Sequence, residues 1–126
     1  MAKKILVVDD ETELVNFLQI RLEHGGYEVI TAYDGENGLK KAKAEIPDLI
    51  ILDIMMPGMD GYEVCRKIKI DPNTKDIPII MLTARAQGVD ELKGFESGTD
   101  VYVPKPYEFP LLVKEIKRLL KEEAND

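Results

Sequence analysis

The stretch LIILDIMMPGMDG, residues 49–61, decides the fold because it contains an apolar strand that ends on an acid. Residues 49–52 are all Leu or Ile, as in a strand buried on both faces of a parallel sheet. Asp53 is the last side chain of this run, where a carboxylate is costly to bury and does not help packing. Residues 54–57, Ile-Met-Met-Pro, leave no adjacent helix for Asp53 to cap. The acid therefore indicates a functional site at the end of the strand.

Four further apolar runs have the length and the β-branched content of strands. The five predicted strands are residues 5–8, 28–33, 49–52, 77–82 and 101–103. Apolar residues recur at helical spacing in five stretches between and after them. The residues that define these five predicted helices are Leu14, Phe17, Leu18 and Leu22; Leu39 and Ala42; Val64 and Ile68; Val89, Leu92 and Phe95; and Leu112, Ile116, Leu119 and Leu120. This alternation predicts an α/β fold with a parallel sheet covered on both faces.

Length and composition limit the function classes. The 126 residues suffice for one core and contain no linker, so we expect a single domain over residues 1–126. A net charge of -7 disfavours direct nucleic-acid binding. No apolar run has the length of a membrane helix and no secretory signal is present, so we expect a cytoplasmic protein without membrane association. Cys65 is the only cysteine, which excludes an internal disulfide.

Acids end two of the predicted strands. Asp9 and Asp10 follow the first strand and Asp53 follows the third, and the carboxyl ends of parallel strands share one edge of the sheet. Three neighbouring carboxylates need protons or a hard cation to offset their charge, and oxygen-only ligands favour Mg²⁺ over zinc. Taken alone, Asp9 or Asp10 is equally well explained as a helix-capping acid. Their combination with Asp53 favours a magnesium site.

Two polar residues are predicted at the same edge. Thr83 lies at the end of the fourth strand and Lys105 follows the fifth. A hydroxyl and an ammonium beside a metal-bound carboxylate suit a transferring phosphoryl group, with Asp53 as the nucleophile. Singly, Thr83 is an ordinary strand residue and Lys105 an ordinary solvated charge. Only their joint placement favours a phosphoryl site.

Four motifs together resemble the response-regulator receiver domain, which is the phospho-acceptor part of two-component signalling. They are VVDD at 7–10, LDIMMPGMDG at 52–61, LTA at 82–84, and Lys105-Pro106 after Gly98. The resemblance covers essentially the whole chain, which is similar in length to the stand-alone chemotaxis regulator. It implies a flavodoxin-like three-layer sandwich with five helices and a five-stranded parallel sheet of order 2-1-3-4-5. It also implies a cis peptide bond between Lys105 and Pro106.

The resemblance further implies the roles of the acids. Asp53 would accept a phosphoryl group from a histidine kinase or a phosphotransfer protein in a Mg²⁺-dependent reaction. Asp10, Asp53 and the backbone carbonyl of Met55 would hold Mg²⁺, and Asp9 would act directly or through water. Slow autodephosphorylation would follow, so that the chain is a signalling switch and not an enzyme.

The remaining roles implied by the resemblance concern the response to phosphorylation. Lys105 and Thr83 would stabilise the phosphoryl group. Thr83 and Tyr102 would form a switch pair that remodels a surface for a downstream effector protein. Pro104 fits the fifth strand only because that strand lies at the sheet edge, and we predict that it stiffens the switch region.

Two alternatives stay open. A phosphatase of the haloacid dehalogenase class also uses a strand-end aspartate, but it requires a second Asp two residues later, where this chain has Met55. The chain could also be a receiver domain from a longer multidomain regulator. Its oligomeric state is a monomer or a phosphorylation-dependent dimer. Val101 occupies the place where winged-helix regulators commonly carry a dimer-forming acid, which weakens that mode of dimerisation.

Overall fold

The computed structural model describes residues 2–83 and 98–122. Within these residues lie five strands and four helices. The strands are β1 (Lys4–Val8), β2 (Glu28–Ala32), β3 (Leu49–Asp53), β4 (Ile79–Thr83) and β5 (Val101–Pro104). The helices are α1 (Thr12–His24), α2 (Gly35–Glu45), α3 (Gly61–Ile70) and α4 (Phe109–Leu119). All five predicted strands are present, with ends shifted by one or two residues.

The five strands form one parallel sheet in the order β2-β1-β3-β4-β5, as predicted. β3 lies in the middle and every one of its residues is buried, which explains why its sequence is apolar until the final acid. β5 lies at the edge and pairs only with β4. Pro104, which cannot donate a ladder hydrogen bond, is therefore tolerated at the end of this strand.

Helices cover both faces of the sheet and make three layers. One core lies between the sheet and helices α1 and α4, and the other between the sheet and helices α2 and α3. Side chains of β3 alternate between these cores: Leu49 and Ile51 face the first, while Ile50 and Leu52 face the second. The strand is thus anchored from both sides, which fixes the position of the residue at its end.

Residues that favour the beginning or the end of a helix lie at three of the helix ends. Asp34 caps α2 by accepting a hydrogen bond from the backbone N–H of Asn37 at 2.8 Å. Pro110 lies in the first turn of α4. Gly25 and Gly26 follow α1, and Gly26 has a φ of +99°, a conformation that favours glycine. Each of these helix ends therefore carries a residue type that favours it.

The prediction of five helices is only partly met. Residues 2–83 and 98–122 contain four helices, and the predicted helix that carries Val89, Leu92 and Phe95 lies outside the described residues. The start of the fourth strand was also placed too early. Ile77 instead donates its backbone N–H to Thr74 in a turn, so β4 begins at Ile79. Within the described part of the chain, no helix combines the length and hydrophobicity that a membrane span requires.

Candidate functional site

The carboxyl ends of β1 and β3 bring three acids together. Val8 pairs with Leu52, so that Asp9 and Asp53 emerge side by side, and Asp10 follows directly. Each of the three acids offers a carboxylate oxygen, and these oxygens all lie within 4.8 Å of one another. Asp9 and Asp53 are buried, whereas Asp10 is exposed. We call Asp9, Asp10 and Asp53 the acid cluster.

Lys105 reaches the acid cluster from the end of β5. Its Nζ atom lies 3.0 Å from Oδ2 of Asp9 and 3.2 Å from Oδ1 of Asp53. A further bond of 3.0 Å joins it to Oε1 of Glu11. The lysine side chain is only 15% exposed, and the peptide bond to Pro106 is cis, as predicted. Residues from the carboxyl ends of β1, β3 and β5 therefore converge on one site.

Burial and neighbouring acids raise the pKa values of Asp9 and Asp53. Burial raises the pKa of Asp53 to about 6, the charges of Asp9 and Asp10 add to the rise, and Lys105 opposes it. Burial also raises the pKa of Asp9, although a backbone N–H from Glu11 and the ammonium of Lys105 offset part of this effect. The cluster thus holds more negative charge than one lysine can neutralise.

Lys105 itself stays protonated. Burial alone would lower the pKa of Lys105, but the hydrogen bonds that it donates to Glu11 and Asp9 and the charges of Asp9 and Asp53 outweigh burial and raise the pKa. The carboxylates of Asp9, Glu11 and Asp53 therefore share a single ammonium. Oxygen ligands with an excess of negative charge, two of them buried, are the arrangement that a hard divalent cation such as Mg²⁺ stabilises. The residues present fit such an ion.

A glycine fixes the backbone beside Asp53. A Cβ atom at Gly61 would collide with the backbone carbonyl oxygen of Asp53, and the Gly61 N–H donates to Ile54 O at 3.0 Å. The N-terminus of α3 therefore packs directly against the end of β3, and Asp60 caps that helix by accepting from Glu63 N at 2.9 Å. The loop between β3 and α3 contains Met55, a residue that is 58% exposed.

The structure gives less detail for the other two predicted site residues, Thr83 and Tyr102. Thr83 ends β4 opposite Pro104, which puts its backbone at the same edge of the sheet, but its side chain lies outside the described part of the molecule. Tyr102 lies opposite Met81 and is half-buried against the core on the α2 and α3 side. The structure thus brings Lys105 into contact with the acid cluster. It places Thr83 on β4 and Tyr102 on β5.

Two residues of this region were not predicted from the sequence. Glu11 bonds Lys105, and the only signal was that a glutamate occupies the N-cap position of α1, where shorter side chains are preferred. The hydroxyl of Tyr107 is buried and has no hydrogen-bond partner among the described residues. Burial raises the pKa of Tyr107 to about 12, with the charges of Lys105, Asp9 and Glu11 also acting on it. No local sequence pattern distinguishes this tyrosine.

Sequence comparison decides the family. Residues 5–117 match the response regulator receiver domain. The chain belongs to this family. It is 48% identical over 121 residues to the alkaline phosphatase synthesis transcriptional regulatory protein PhoP of Bacillus subtilis, covering 96% of this chain and 50% of PhoP. The chain spans about half the length of this relative.

Solved receiver domains have the same fold. Chemotaxis protein CheY4 of Vibrio cholerae superimposes with a TM-score of 0.90 at 33% identity, covering 94% of this chain and 99% of CheY4. The receiver domain of sensor histidine kinase PA1611 from Pseudomonas aeruginosa gives 0.89 at 29% identity, covering 97% and 100%. That structure has a magnesium ion coordinated in its active site cleft.

Family membership settles part of the functional prediction. The protein is a receiver domain of the two-component response regulators, which are signalling switches. The comparisons favour this reading over the haloacid dehalogenase phosphatase. The possibility of a longer multidomain regulator stays open, since PhoP continues well beyond the matched region.

Proposed function

We propose that Asp53 accepts a phosphoryl group from a phosphohistidine of a histidine kinase or phosphotransfer protein. One carboxylate oxygen of Asp53 would bond to phosphorus while the bond from phosphorus to the histidine nitrogen breaks, and that nitrogen keeps the electron pair. The observation that supports this most is the position of Asp53, buried at a strand end, within 4.8 Å of two other acids and 3.2 Å from Lys105.

The residues around Asp53 suit the charge that this transfer creates. We propose that Asp10, Asp53 and the backbone carbonyl of Met55 hold Mg²⁺, with Asp9 bound directly or through water. When bound, the ion offsets negative charge on the phosphoryl oxygens. Asp9 also keeps Lys105 at the site through their bond of 3.0 Å, so that the ammonium is already beside the acceptor.

The response to phosphorylation is proposed to involve β4 and β5. Thr83 would donate its hydroxyl to the phosphoryl group, and Tyr102 would turn inward as the second member of a switch pair. Thr83 lies on β4, which pairs with β3, and Tyr102 lies on β5, which pairs with β4, and this placement supports the assignment. The remodelled surface would bind a downstream effector protein or a second copy of the chain, and slow autodephosphorylation would reset it.

Phosphate incorporation tests this proposal. The protein is treated with acetyl phosphate and Mg²⁺, its intact mass is measured, and the adduct is located by peptide mapping. We expect one acid-labile phosphoryl group on Asp53, and none in Asp53→Asn or without Mg²⁺. Asp76→Asn, an exposed acid outside the cluster, is the matched control and should incorporate normally. Phosphorylation of another residue in the wild type, or retained incorporation in Asp53→Asn, would contradict the assignment.

A further inference from the structure

The N-terminus of α2 lies against the segment that joins β3 to α3. We call this segment, residues 54–60, the β3–α3 loop, and it contains Met55 and Met59. Gly35 is the first residue of α2 and is buried. A Cβ atom at Gly35 would overlap the backbone carbonyl oxygen of Met59 and would lie 2.9 Å from Cγ2 of Val64. The lack of a side chain at Gly35 therefore allows α2 to touch the loop directly.

Backbone hydrogen bonds fix both ends of the β3–α3 loop. The N–H of Ile54 donates to the carbonyl oxygen of Leu82 on β4 at 3.0 Å. The carbonyl oxygen of Ile54 accepts from the N–H of Gly61, the first residue of α3, at 3.0 Å. Between these ends, Pro57 and Gly58 are exposed. Because the ends are held, a displacement inside the loop has to be taken up by the residues between them.

Helix α2 is held more firmly than the middle of the loop. Asp34 caps the helix by accepting a hydrogen bond from the backbone N–H of Asn37 at 2.8 Å. A Cβ atom at Gly38 would lie 2.8 Å from Cγ1 of Val8, so this part of α2 rests directly on β1. The exposed middle of the loop has no such support on its outer side. When the helix and the loop are forced apart, the loop is therefore the part that moves.

We infer that Gly35 is a positioning residue for the metal site, because its contact with Met59 holds the β3–α3 loop in the shape that presents the backbone carbonyl of Met55 to Mg²⁺. This inference rests on the proposed binding of Mg²⁺ by that carbonyl. Mg²⁺ requires nearly ideal octahedral geometry, so a small displacement of one ligand weakens its binding. Gly35→Ala should raise the Kd for Mg²⁺ by about tenfold, the lower end of the effect of groups that orient metal ligands.

Isothermal titration calorimetry with Mg²⁺ alone measures this Kd. The temperature is chosen so that circular dichroism shows every variant to be folded. Under this condition a loss of stability alone does not change the Kd, because nearly all of the protein is already in the form that binds. Ala42→Gly is the matched control, since it destabilises the same helix near its other end and leaves the contact of Gly35 with the loop intact. This control should keep the wild-type Kd.

A wild-type Kd in folded Gly35→Ala would overturn the inference, because the helix and not the loop would then have moved. An equal rise in Ala42→Gly would overturn it as well, since the effect would follow from the stability of α2. Where Gly35→Ala does not fold, Met59→Ala decides, because it removes the side chain that packs the loop against the core. Its Kd should rise, and a wild-type Kd would overturn the inference. Absence of Mg²⁺ binding in the wild type would instead overturn the proposed metal site and this inference with it.

A second readout needs no metal. In EDTA, NMR follows hydrogen exchange at the backbone N–H of Met56, which donates to the carbonyl oxygen of Ile54 at 3.2 Å inside the loop. The N–H of Ile50, buried in the middle of the sheet, reports global unfolding and is the internal reference. Relative to Ile50, Met56 should exchange faster in Gly35→Ala than in wild type and Ala42→Gly. An unchanged ratio in Gly35→Ala would show that Gly35 does not hold the loop and would overturn the inference even if Mg²⁺ binds as proposed.

Discussion

Replacing Asp53 with asparagine should stabilise the metal-free protein at neutral pH. The pKa of Asp53 is raised from 3.8 to about 6 by burial and by its acidic neighbours, so its ionised form opposes folding. A rise of this size corresponds to about 3 kcal/mol at roughly 1.36 kcal/mol per pKa unit. The cluster is open to water at Asp10, which screens part of this effect. We therefore expect Asp53→Asn to gain about 1–2 kcal/mol at pH 7.5.

The contribution of Asp53 to stability changes with pH in the opposite direction to that of an acid in a salt bridge. Between pH 6 and 4 the folded protein binds a proton at Asp53 that the unfolded chain does not bind. Wild-type stability from this group therefore rises as the pH falls through about 6, and the advantage of Asp53→Asn disappears near pH 4. The difference between the two proteins reports Asp53 together with its repulsion of Asp9, because the two carboxylates act on each other.

Urea unfolding in EDTA at pH 7.5 and pH 4 measures this difference. Asp76→Asn removes the same charge from an exposed position and should match wild type at both pH values. If Asp53→Asn is less stable than wild type at pH 7.5 in EDTA, the attraction between Asp53 and Lys105 outweighs burial and repulsion. The electrostatic account of the site given above would then be wrong.

Four other changes test particular contacts. Gly35→Ala should lower the free energy of unfolding by about 1–3 kcal/mol in urea, because its Cβ would collide with a neighbouring backbone carbonyl. Tyr107→Phe should leave stability unchanged or raise it by about 1 kcal/mol in the same assay, since it removes a buried hydroxyl that has no partner among the described residues. A double-mutant cycle of Tyr27→Phe and Glu122→Gln should give a coupling of about 1 kcal/mol for their 2.7 Å hydrogen bond. Mg²⁺ should raise the Tm of wild type at pH 7.5, as measured by calorimetry, and the rise should be smaller for Asp10→Asn.

The strands and the proximity of Asp9 to Asp53 could be predicted because both depend on backbone structure and not on side-chain contacts. Short β-branched runs specify strands, and parallel pairing brings all carboxyl ends to one edge. Asp9 and Asp53 each come at the end of an apolar run, so local sequence and topology together place them as neighbours. The exact ends of the strands could not be predicted in the same way. Ile77 continues the apolar pattern but belongs to a turn, because a turn and a strand bury the same side chain equally well.

Lys105 was predicted beside the acids, but its contact with Glu11 could not be predicted, because it depends on side-chain reach across 94 positions of sequence separation. Lysine has a long flexible side chain, and its partner is decided by which carboxylates are buried and close. Glu11 adjoins the predicted acids, yet its sequence position only suggests a helix start. Tyr107 was missed for a similar reason, since an aromatic residue after Lys-Pro is equally consistent with simple packing.

The burial of Asp53 destabilises the metal-free protein and also favours the binding of a cation or a phosphoryl group. A well-neutralised cluster would fold better, but it would gain little from a cation or a phosphoryl group. Here three carboxylates contact one ammonium, and two of them, those of Asp9 and Asp53, are buried. The free energy lost by burying Asp53 is recovered when its charge is offset. Variants that stabilise the metal-free protein at Asp53 should therefore lose metal binding, whereas variants at Glu11 should retain it, because Glu11 acts on Lys105 and lies outside the acid cluster.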